Sequence, residues 1–509
     1  MLRDFTLRGV ILQDFYRRDC GLFDLTFRQG RIAHFQHLPD GAQRNLYLTP
    51  GFQDAHNHLL HLGLARKRCD LSACTSLDEA LQLLVEYRVH NQGLQSVLWA
   101  VNWDESGWSD RKAPTRAEID HVVPDLPVVM RRVCGHRAVL NSRALEKASD
   151  HWDDLDPDGI LTERQSMELS ALWPPTQEEL KAALLAAQDV AIAKGITRVS
   201  EMGSYGALDC YLAVAEKGLL KLDVNLYLPP DQLDRVQVLC RQDACSGSGL
   251  RVGGIKIFAD GSVGARSAAL RTPYADASHK GTLLYTDKAL CELFERCLAA
   301  DVCVSVHAIG DAAIDQILRQ LEHLAAAGNG LGPGRVTIEH AEMIDDAMLE
   351  RAQKLGVHLS LQPNFVARWQ QPGGLYETAL GSQRCRRMNP LRSVWDLEIP
   401  MVFGSDGMPM DPALGLHGAV SHPAEEERLT AQEALSVYLG ARSRPAGSYW
   451  ELEDWWVPGR ADGVLYREDP LELTGGDLSR ALVQGVLWRG QWVLEPPAEL
   501  FRVGVVHAR

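Results

Sequence analysis

The chain has 509 residues, of which 46% are hydrophobic and 23% charged, and its formal net charge is −15. This length exceeds one ordinary hydrophobic core, so we expect a large catalytic domain with smaller additions. No apolar run approaches the ~20 residues that span a bilayer, and an acidic chain without a Lys/Arg-rich stripe is not expected to bind nucleic acid.

The first residues and the cysteines predict the cellular compartment. The start, MLRDFTLRGVILQDFYRRDCG, is interrupted by charges and lacks the apolar stretch and cleavage pattern of a signal peptide. The 11 cysteines are scattered without CxxC pairs, which is typical of reduced thiols and argues against a disulfide framework or a zinc ribbon. We therefore expect a cytoplasmic protein.

Both ends of the chain alternate as short strands with Gly-containing turns at Gln29-Gly30 and Arg489-Gly490. Neither end forms a stable sheet alone, because isolated hairpins are marginal in water. We expect residues 1–50 and 451–509 to pair into one small β-sandwich, so that the termini meet.

Between these ends, short β-branched runs alternate with helical patterns, which is typical of a parallel barrel. The first strand covers 49–58, and seven more cover 196–203, 221–229, 253–262, 302–311, 335–343, 357–365 and 400–409. We predict an α/β fold, a distorted (β/α)8 TIM-like barrel over 51–450. The long interval after the first strand requires an inserted subdomain, placed at 66–170.

The C-terminal ends of these strands carry the candidate chemistry, because active sites of such barrels form there. In HNH, two imidazoles two residues apart share one strand face. The candidates in strand order are His56, His58, Lys256, Asp260, His307, His340 and Asp406. Imidazoles and a carboxylate suit Zn, Fe, Mn or Ni and leave room for a water nucleophile.

Several of these residues have a structural alternative. Asp406 could cap a helix in GSDG, and Lys256 could be a buried ion-pair partner of Asp260. Glu201, at the end of the second strand, could face the site or be a structural carboxylate. Trp99, Trp103 and Trp108 favour core packing over lining a pocket mouth. DPDGIL predicts only a turn, because an EF-hand loop needs a longer ligand series.

The motifs resemble those of the metal-dependent amidohydrolases, in particular the YtcJ-like or amidohydrolase 3 branch. The resemblance runs nearly end to end, through PGFQDAHNHL, GHRAVLNSRAL, IKIFADGSVGARSAAL, VHAIGDAAID, TIEHAEMI, FGSDGMP, LTAQEALSVYLGARS and PGRADGVLYREDPLE. The chain departs from the family pattern in SYWELEDWW and ARSRPAGS, away from the metal motifs.

The resemblance implies a metal centre of one or two divalent ions, with Zn first among the candidates. Its ligands would be His56, His58, His307, His340 and Asp406, with Lys256 at a bridging position that many relatives carboxylate. It also points to His136, Asp260 and Arg266 for substrate contacts. Arg266 could clamp a substrate carboxylate or orient a loop carboxylate such as Asp260.

The charges suggest a mechanism in which a bound metal activates water and polarises a carbonyl. Asp406 would accept the proton of the water and return it to the leaving nitrogen, and His307 or His340 would stabilise the oxyanion. We expect hydrolysis of an amide or other C–N bond in a small organic substrate. The alternatives are an esterase, lactonase or phosphotriesterase, or a binding protein without chemistry, which would lack ligands. The sequence does not determine the oligomeric state, and a homo-oligomer is compatible with it.

Overall fold

The computed structural model describes residues 4–12, 21–39, 46–90, 96–105, 108–132, 137–162, 165–166, 169, 172–203, 206–242, 248–328, 332–440, 462–468, 483–497, 500 and 505–507. The chain divides into two compact units. One combines Met1–His58 with Gln188–Arg509, and the other is the inserted unit Leu59–Ala187.

The strands in chain order are β1 (Phe5–Leu12), β2 (Gly21–Arg28), β3 (Arg31–His37), β4 (Leu46–Thr49), β5 (Phe52–Asn57), β6 (Cys69–Asp70), β7 (Leu98–Trp103), β8 (Val128–Arg132), β9 (Arg137–Leu140), β10 (Ile160–Thr162), β11 (Ile196–Met202), β12 (Asp223–Leu228), β13 (Leu250–Phe258), β14 (Cys303–Ala308), β15 (Val336–His340), β16 (His358–Leu361), β17 (Met401–Phe403), β18 (Gly463–Tyr466), β19 (Gly485–Trp488), β20 (Gln491–Leu494) and β21 (Val505–His507).

The helices are α1 (Leu59–Arg66), α2 (Leu77–His90), α3 (Arg116–Val122), α4 (Ser142–Ala148), α5 (Gln177–Ala193), α6 (Ala207–Glu216), α7 (Leu233–Gln242), α8 (Asp287–Ala299), α9 (Asp311–Ala326), α10 (Asp346–Leu355), α11 (Pro363–Trp369), α12 (Leu375–Leu380), α13 (Ser382–Arg386), α14 (Leu391–Asp396), α15 (Pro412–Val420) and α16 (Ala431–Tyr438).

A nearly closed barrel of eight parallel strands forms the centre of the first unit. The strands are neighbours in the order β5, β11, β12, β13, β14, β15, β16 and β17, which is also their chain order. At the seam between β17 and β5, the amide of Asp406 donates to the carbonyl of His56 at 2.7 Å. Gly404 permits this approach, because a Cβ there would lie 2.4 Å from the His56 nitrogen.

The predicted α/β barrel is thereby confirmed, with one difference at its first strand. The run 49–58 is broken at Pro50-Gly51. The part before the break, β4, pairs with β1 and β18, and only β5 enters the barrel beside β11. A proline lacks the amide that a ladder needs, so the chain can leave one sheet and enter the other here.

Strands from both chain ends share one eight-stranded sheet, ordered β20-β19-β18-β4-β1-β2-β3 with β21 beside β1. Four strand spacings separate β1 from β20, about 19 Å in a flat sheet. The rings of Phe5 and Trp492 nevertheless lie 5.2 Å apart, so the sheet folds over its own apolar core.

The two predicted hairpin turns have left-handed backbone at both central positions. The φ angles are 50° and 76° at Gln29-Gly30 and 52° and 69° at Arg489-Gly490, as type I′ turns require. The turns also touch, since a Cβ on Gly490 would lie 2.2 Å from the carbonyl oxygen of Gly30.

The inserted unit contains a five-stranded sheet in the order β10-β9-β8-β7-β6. Trp103 and Trp108 are buried in its core, and Trp99 packs edge-on against Trp173. The DPDGIL segment forms the expected turn, with Gly159 at φ 75° and its amide donating to the carbonyl of Asp156.

Some predictions fall outside the described residues. They are His136 and the two departures from the family pattern, within 441–456. Among the helices that the structure describes, none combines the length and hydropathy needed to cross a bilayer.

Candidate metal centre

Three predicted ligands meet at the C-terminal end of the barrel. His56 lies near the end of β5, His340 is the last residue of β15, and Asp406 follows β17. One donor atom from each lies within 4.8 Å of the other two. His340 is central, because its ring centroid is 4.7 Å from that of His56 and 4.5 Å from that of His307.

A buried carboxylate fixes the ring of His56. Nδ1 of His56 donates to Oε2 of Glu339 at 2.6 Å, and Ser305 Oγ donates to the other carboxylate oxygen at 2.7 Å. Burial would raise the pKa of Glu339, but the electrostatic interaction and hydrogen bond with His56 outweigh it and the net pKa is lowered. Burial and the charge of Lys256 lower the pKa of His56. Glu339 is therefore ionised and the ring of His56 is neutral, so Nε2 of His56 keeps its lone pair for a ligand.

His58 and Asp406 form the solvent-facing side of the cluster. His58 Nε2 lies 3.1 Å from Asp406 Oδ1, and its Nδ1 donates to the carbonyl of Met202 at 3.0 Å. Burial lowers the pKa of His58, yet the hydrogen bond to Asp406 outweighs it and the net pKa is raised. The proton on His58 Nε2 therefore lies between this nitrogen and Asp406 Oδ1. The same two atoms could bind a metal ion in place of the proton.

His307 and His340 are held in their neutral form. Burial and the charge of Lys256 lower the pKa of His307 to about 3. Burial and the neighbouring His307 lower the pKa of His340 well below its ordinary value. Nε2 of His307 donates to the carbonyl of Gly261 at 3.0 Å, so its Nδ1 carries the lone pair.

Strained backbone presents two of these side chains. His340 has φ 70° and Asp406 has φ 54°, both in the left-handed region. Such conformations cost of order 1–3 kcal/mol in a non-glycine residue and concentrate at functional sites.

A second buried carboxylate ties the seam of the barrel below Asp406. Asp54 accepts from the amide of Ser405 at 2.9 Å, from its hydroxyl at 2.5 Å, and from the side chain of Asn57 at 2.6 Å. Burial raises the pKa of Asp54 to about 6 despite these donors. Asp54 thus fixes the residue that precedes Asp406.

Lys256 is buried on β13, 3% exposed, and its Nζ has no hydrogen-bond partner among the described residues. Burial lowers its pKa to about 8, although Glu339 and Asp406 oppose the shift. Its Nζ lies 5.2 Å from the ring centroid of Phe258.

The two other described candidates for substrate contact are engaged within the protein. Asp260 is buried and accepts from the amides of Ala269, Ile309 and Gly310 at 2.8–3.0 Å. Arg266 binds Asp276, with Nε 3.0 Å from both carboxylate oxygens and Nη2 2.5 Å from Oδ2. Arg266 thus orients a loop carboxylate other than Asp260, and a role in substrate binding stays a prediction for both.

Glu201 is buried at the end of β11, beside Asn57 of β5 in the sheet. Its negative charge contributes to the raised pKa of His58, after the larger effects of burial and Asp406. Glu201 therefore acts on the cluster through charge.

A cavity of about 330 Å³ opens beside Lys256. It lies at the C-terminal ends of β11, β12 and β13, where a barrel enzyme binds its substrate. Its lining residues are Gly203, Pro229, Pro230, Lys256, Ile257, Phe258, Leu284 and Tyr285.

The sequence reasoning missed Glu339, Ser305, Asp54 and Ser405. A signal exists for the first, because TIEH places a carboxylate inside an apolar strand, where a charge must have a partner. No sequence signal identifies His56 as that partner.

The donor set fits a divalent metal. Imidazole nitrogens with a carboxylate suit Zn²⁺ and similar ions. His340 Nδ1 is buried without a hydrogen-bond partner among the described residues, and a buried polar atom of this kind calls for a ligand. His56 also has the carboxylate partner that metal-bound histidines usually have.

The chain matches the family model described as "Amidohydrolase family" over residues 44–493. It is 29% identical to a putative amidohydrolase, YtcJ, of Bacillus subtilis, over 88% of this chain and 89% of that one. It is 25% identical to the N-substituted formamide deformylase of Arthrobacter pascens, over 86% and 88%.

Among solved structures, an uncharacterised metal-dependent hydrolase from Pyrococcus furiosus has a TM-score of 0.75 and 26% identity, and the match covers 92% of this chain and 99% of that one. An uncharacterised metal-dependent hydrolase from Pyrococcus horikoshii has a TM-score of 0.73 and 25% identity, and the match covers 92% of this chain and 98% of that one. Together with the family match, these similarities indicate a hydrolase, and the group of His56, His340 and Asp406 is consistent with a divalent metal. The chain belongs to the amidohydrolase family.

Proposed function

We propose that this hydrolase cleaves an amide or related C–N bond in a small organic substrate, with a divalent metal, Zn first among the candidates, at the barrel mouth. The observation that carries the proposal is the convergence of His56, His340 and Asp406 within 4.8 Å. The relatives named as amidohydrolase and deformylase favour a C–N bond over an ester or phosphotriester.

His56, His340 and Asp406 would hold one metal ion. His58, His307 and Lys256 would complete this site or hold a second ion. When bound, the metal lowers the pKa of water from 15.7 toward about 7 and polarises the substrate carbonyl. Because the imidazoles of His307 and His340 are neutral, each has a nitrogen lone pair available to bind the metal.

Asp406 would transfer the proton in this scheme. Its carboxylate lies at the solvent-facing side of the cluster, where a water can reach it, and its side chain is 16% exposed. Burial would raise its pKa, but the hydrogen bond of His58 and the electrostatic interactions with the neighbouring imidazoles outweigh it, so Asp406 is ionised at neutral pH and able to accept a proton. Returned to the leaving nitrogen, that proton completes hydrolysis.

Lys256 would bridge two ions if its amine were carboxylated. The neutral amine would attack carbon dioxide, form a C–N bond and lose a proton, which yields a carbamate anion. Burial favours the neutral amine that this step needs, and Nζ has no competing hydrogen bond among the described residues.

The free thiols of the described cysteines support the proposed cytoplasmic location.

The test combines metal analysis with hydrolysis of matched amide and ester panels. We expect purified protein to hold at least one divalent ion per chain, and amide hydrolysis to vanish with chelation or in His56→Ala. His358→Leu is the matched control, because it removes a different buried strand imidazole.

A folded protein without divalent metal, whose hydrolysis His56→Ala does not change, would refute the proposal. Hydrolysis of esters without amides would favour the esterase alternative.

A further inference from the structure

The cavity beside Lys256 has an apolar wall that the proposed chemistry does not use. Phe258 is 45% exposed and Leu284 is 56% exposed, and both line the cavity. Pro229, Pro230 and Ile257 add further apolar surface. Large apolar side chains held open to water beside an active site mark a surface that a ligand covers.

The cavity adjoins the metal centre through Lys256 and Phe258. Lys256 and Phe258 alternate with Ile257 on β13, so they point to the same face of the sheet. The Phe258 ring lies 5.4 Å from the ring of His307, and Lys256 is part of the cavity wall. A group in the cavity would therefore belong to a molecule whose reacting bond lies at the metal centre.

The cavity offers little to a charged substituent. Of the described lining residues, only Lys256 carries a formal charge, and the proposed function assigns that amine to the metal site. Arg266, the arginine expected to clamp a carboxylate, is bound to Asp276. A carboxylate in the cavity would lose its hydration without a partner.

We propose that this cavity binds an uncharged, flat apolar group of the substrate, such as an aromatic ring, on one side of the scissile bond. The proposal rests on the proposed function, which places that bond at the metal centre. An apolar cavity of about 150 Å³ already holds a benzene ring, so 330 Å³ accommodates a ring with its linker. Phe258 and Tyr285 supply aromatic surface for it.

The test measures binding and hydrolysis of two matched probes, N-benzylacetamide and its charged counterpart 4-(acetamidomethyl)benzoate, on metal-loaded protein. We expect the neutral probe to bind at least about tenfold more tightly. Leu284→Glu should weaken binding of the neutral probe about tenfold, whereas Leu284→Met, which keeps an apolar side chain, should bind it as the wild type does. Val238→Glu is the matched control, because Val238 is 50% exposed on α7 and does not line the cavity.

Equal binding of the two probes, or equal loss in Leu284→Glu and Val238→Glu, would overturn the cavity proposal. Release of the amine product, benzylamine from the neutral probe or 4-(aminomethyl)benzoate from the charged one, is followed in the same samples and separates this result from the proposed function. The expected binding pattern without amine release would support the cavity and count against amide hydrolysis. Amine release with equal kcat/KM for both probes would support amide hydrolysis and count against the cavity proposal.

Discussion

The side chains of His56 and Glu339, 283 positions apart in the chain, meet with Nδ1 2.6 Å from Oε2. This contact sets the tautomer of a predicted metal ligand, and Ser305 holds the carboxylate from behind. Because the outer partner of a histidine ligand raises its basicity and fixes its ring, we expect Glu339 to act as a positioning residue for the proposed metal centre.

Glu339→Gln should weaken metal binding by about 10–100-fold, because a neutral amide no longer stabilises the His56 tautomer. Competition with a fluorescent chelator measures the metal Kd directly, without reference to activity. Glu350→Gln, which changes a 65% exposed carboxylate, is the control. An unchanged metal Kd in Glu339→Gln would show that the contact is structural only.

Asp406→Asn should lower kcat by about 100–10,000-fold, because the amide cannot accept a proton from water. Asparagine tolerates the left-handed backbone at this position, so the fold should persist. Steady-state kinetics and metal analysis of the same sample separate lost proton transfer from lost metal. Asp396→Asn, at a 63% exposed position, should match the wild type. Retained kcat in Asp406→Asn would assign proton transfer to another group.

Lys256→Ala should reduce the metal content, and added acetate or propionate should restore it by replacing the carbamate that we propose. Lys256→Met is the matched control, because it fills the same space and leaves no room for the added acid. Mass spectrometry of metals at varied acid concentration provides the measurement. Full metal content in Lys256→Ala without added acid would remove Lys256 from the metal site.

Asp260→Asn should lower the free energy of unfolding by about 1–3 kcal/mol, because an amide group cannot accept all three backbone N–H groups that the carboxylate accepts. Asp276→Asn, which breaks an exposed ion pair with Arg266, should lower the free energy of unfolding clearly less than Asp260→Asn does, because solvent screens the pair. Urea unfolding of both variants gives the comparison. Equal losses would argue against Asp260 as the anchor of its loop.

The stability of the protein should depend on pH through His358. Burial lowers the pKa of this imidazole to about 4, from an ordinary 6.5. Between these pH values the unfolded chain binds a proton that the folded chain does not, so stability falls as pH drops through this window, by up to about 3 kcal/mol. His358→Leu should flatten this part of the pH profile in thermal unfolding. Parallel profiles of the two proteins would contradict the assignment.

Much of the barrel could be predicted from the sequence, because short apolar, β-branched runs alternate with helical patterns along the chain. The runs 302–311 and 335–343 contain β14 and β15, and the ends of these strands bring His307 and His340 together. The positions of the hairpin turns could be predicted as well, because Gly30 and Gly490 adopt left-handed backbone without steric cost.

Side-chain contacts, within a loop or between strands distant in the chain, could not be predicted in the same way. The sequence around Arg266 did not indicate its ion pair with Asp276. Nor did the sequence around Asp54 indicate its hydrogen bond to Ser405 across the barrel seam. Nor did the run 49–58 reveal that Pro50-Gly51 divides it between two sheets.

The sequence by itself determined the strand order and which strand ends carry imidazoles and carboxylates, because periodicity and alternation are local properties of the chain. Only the tertiary structure decided which of those groups meet, which atom of His56 stays free, and which carboxylates hold the site in place. Those outcomes depend on distances of a few ångströms between strands that barrel closure brings together.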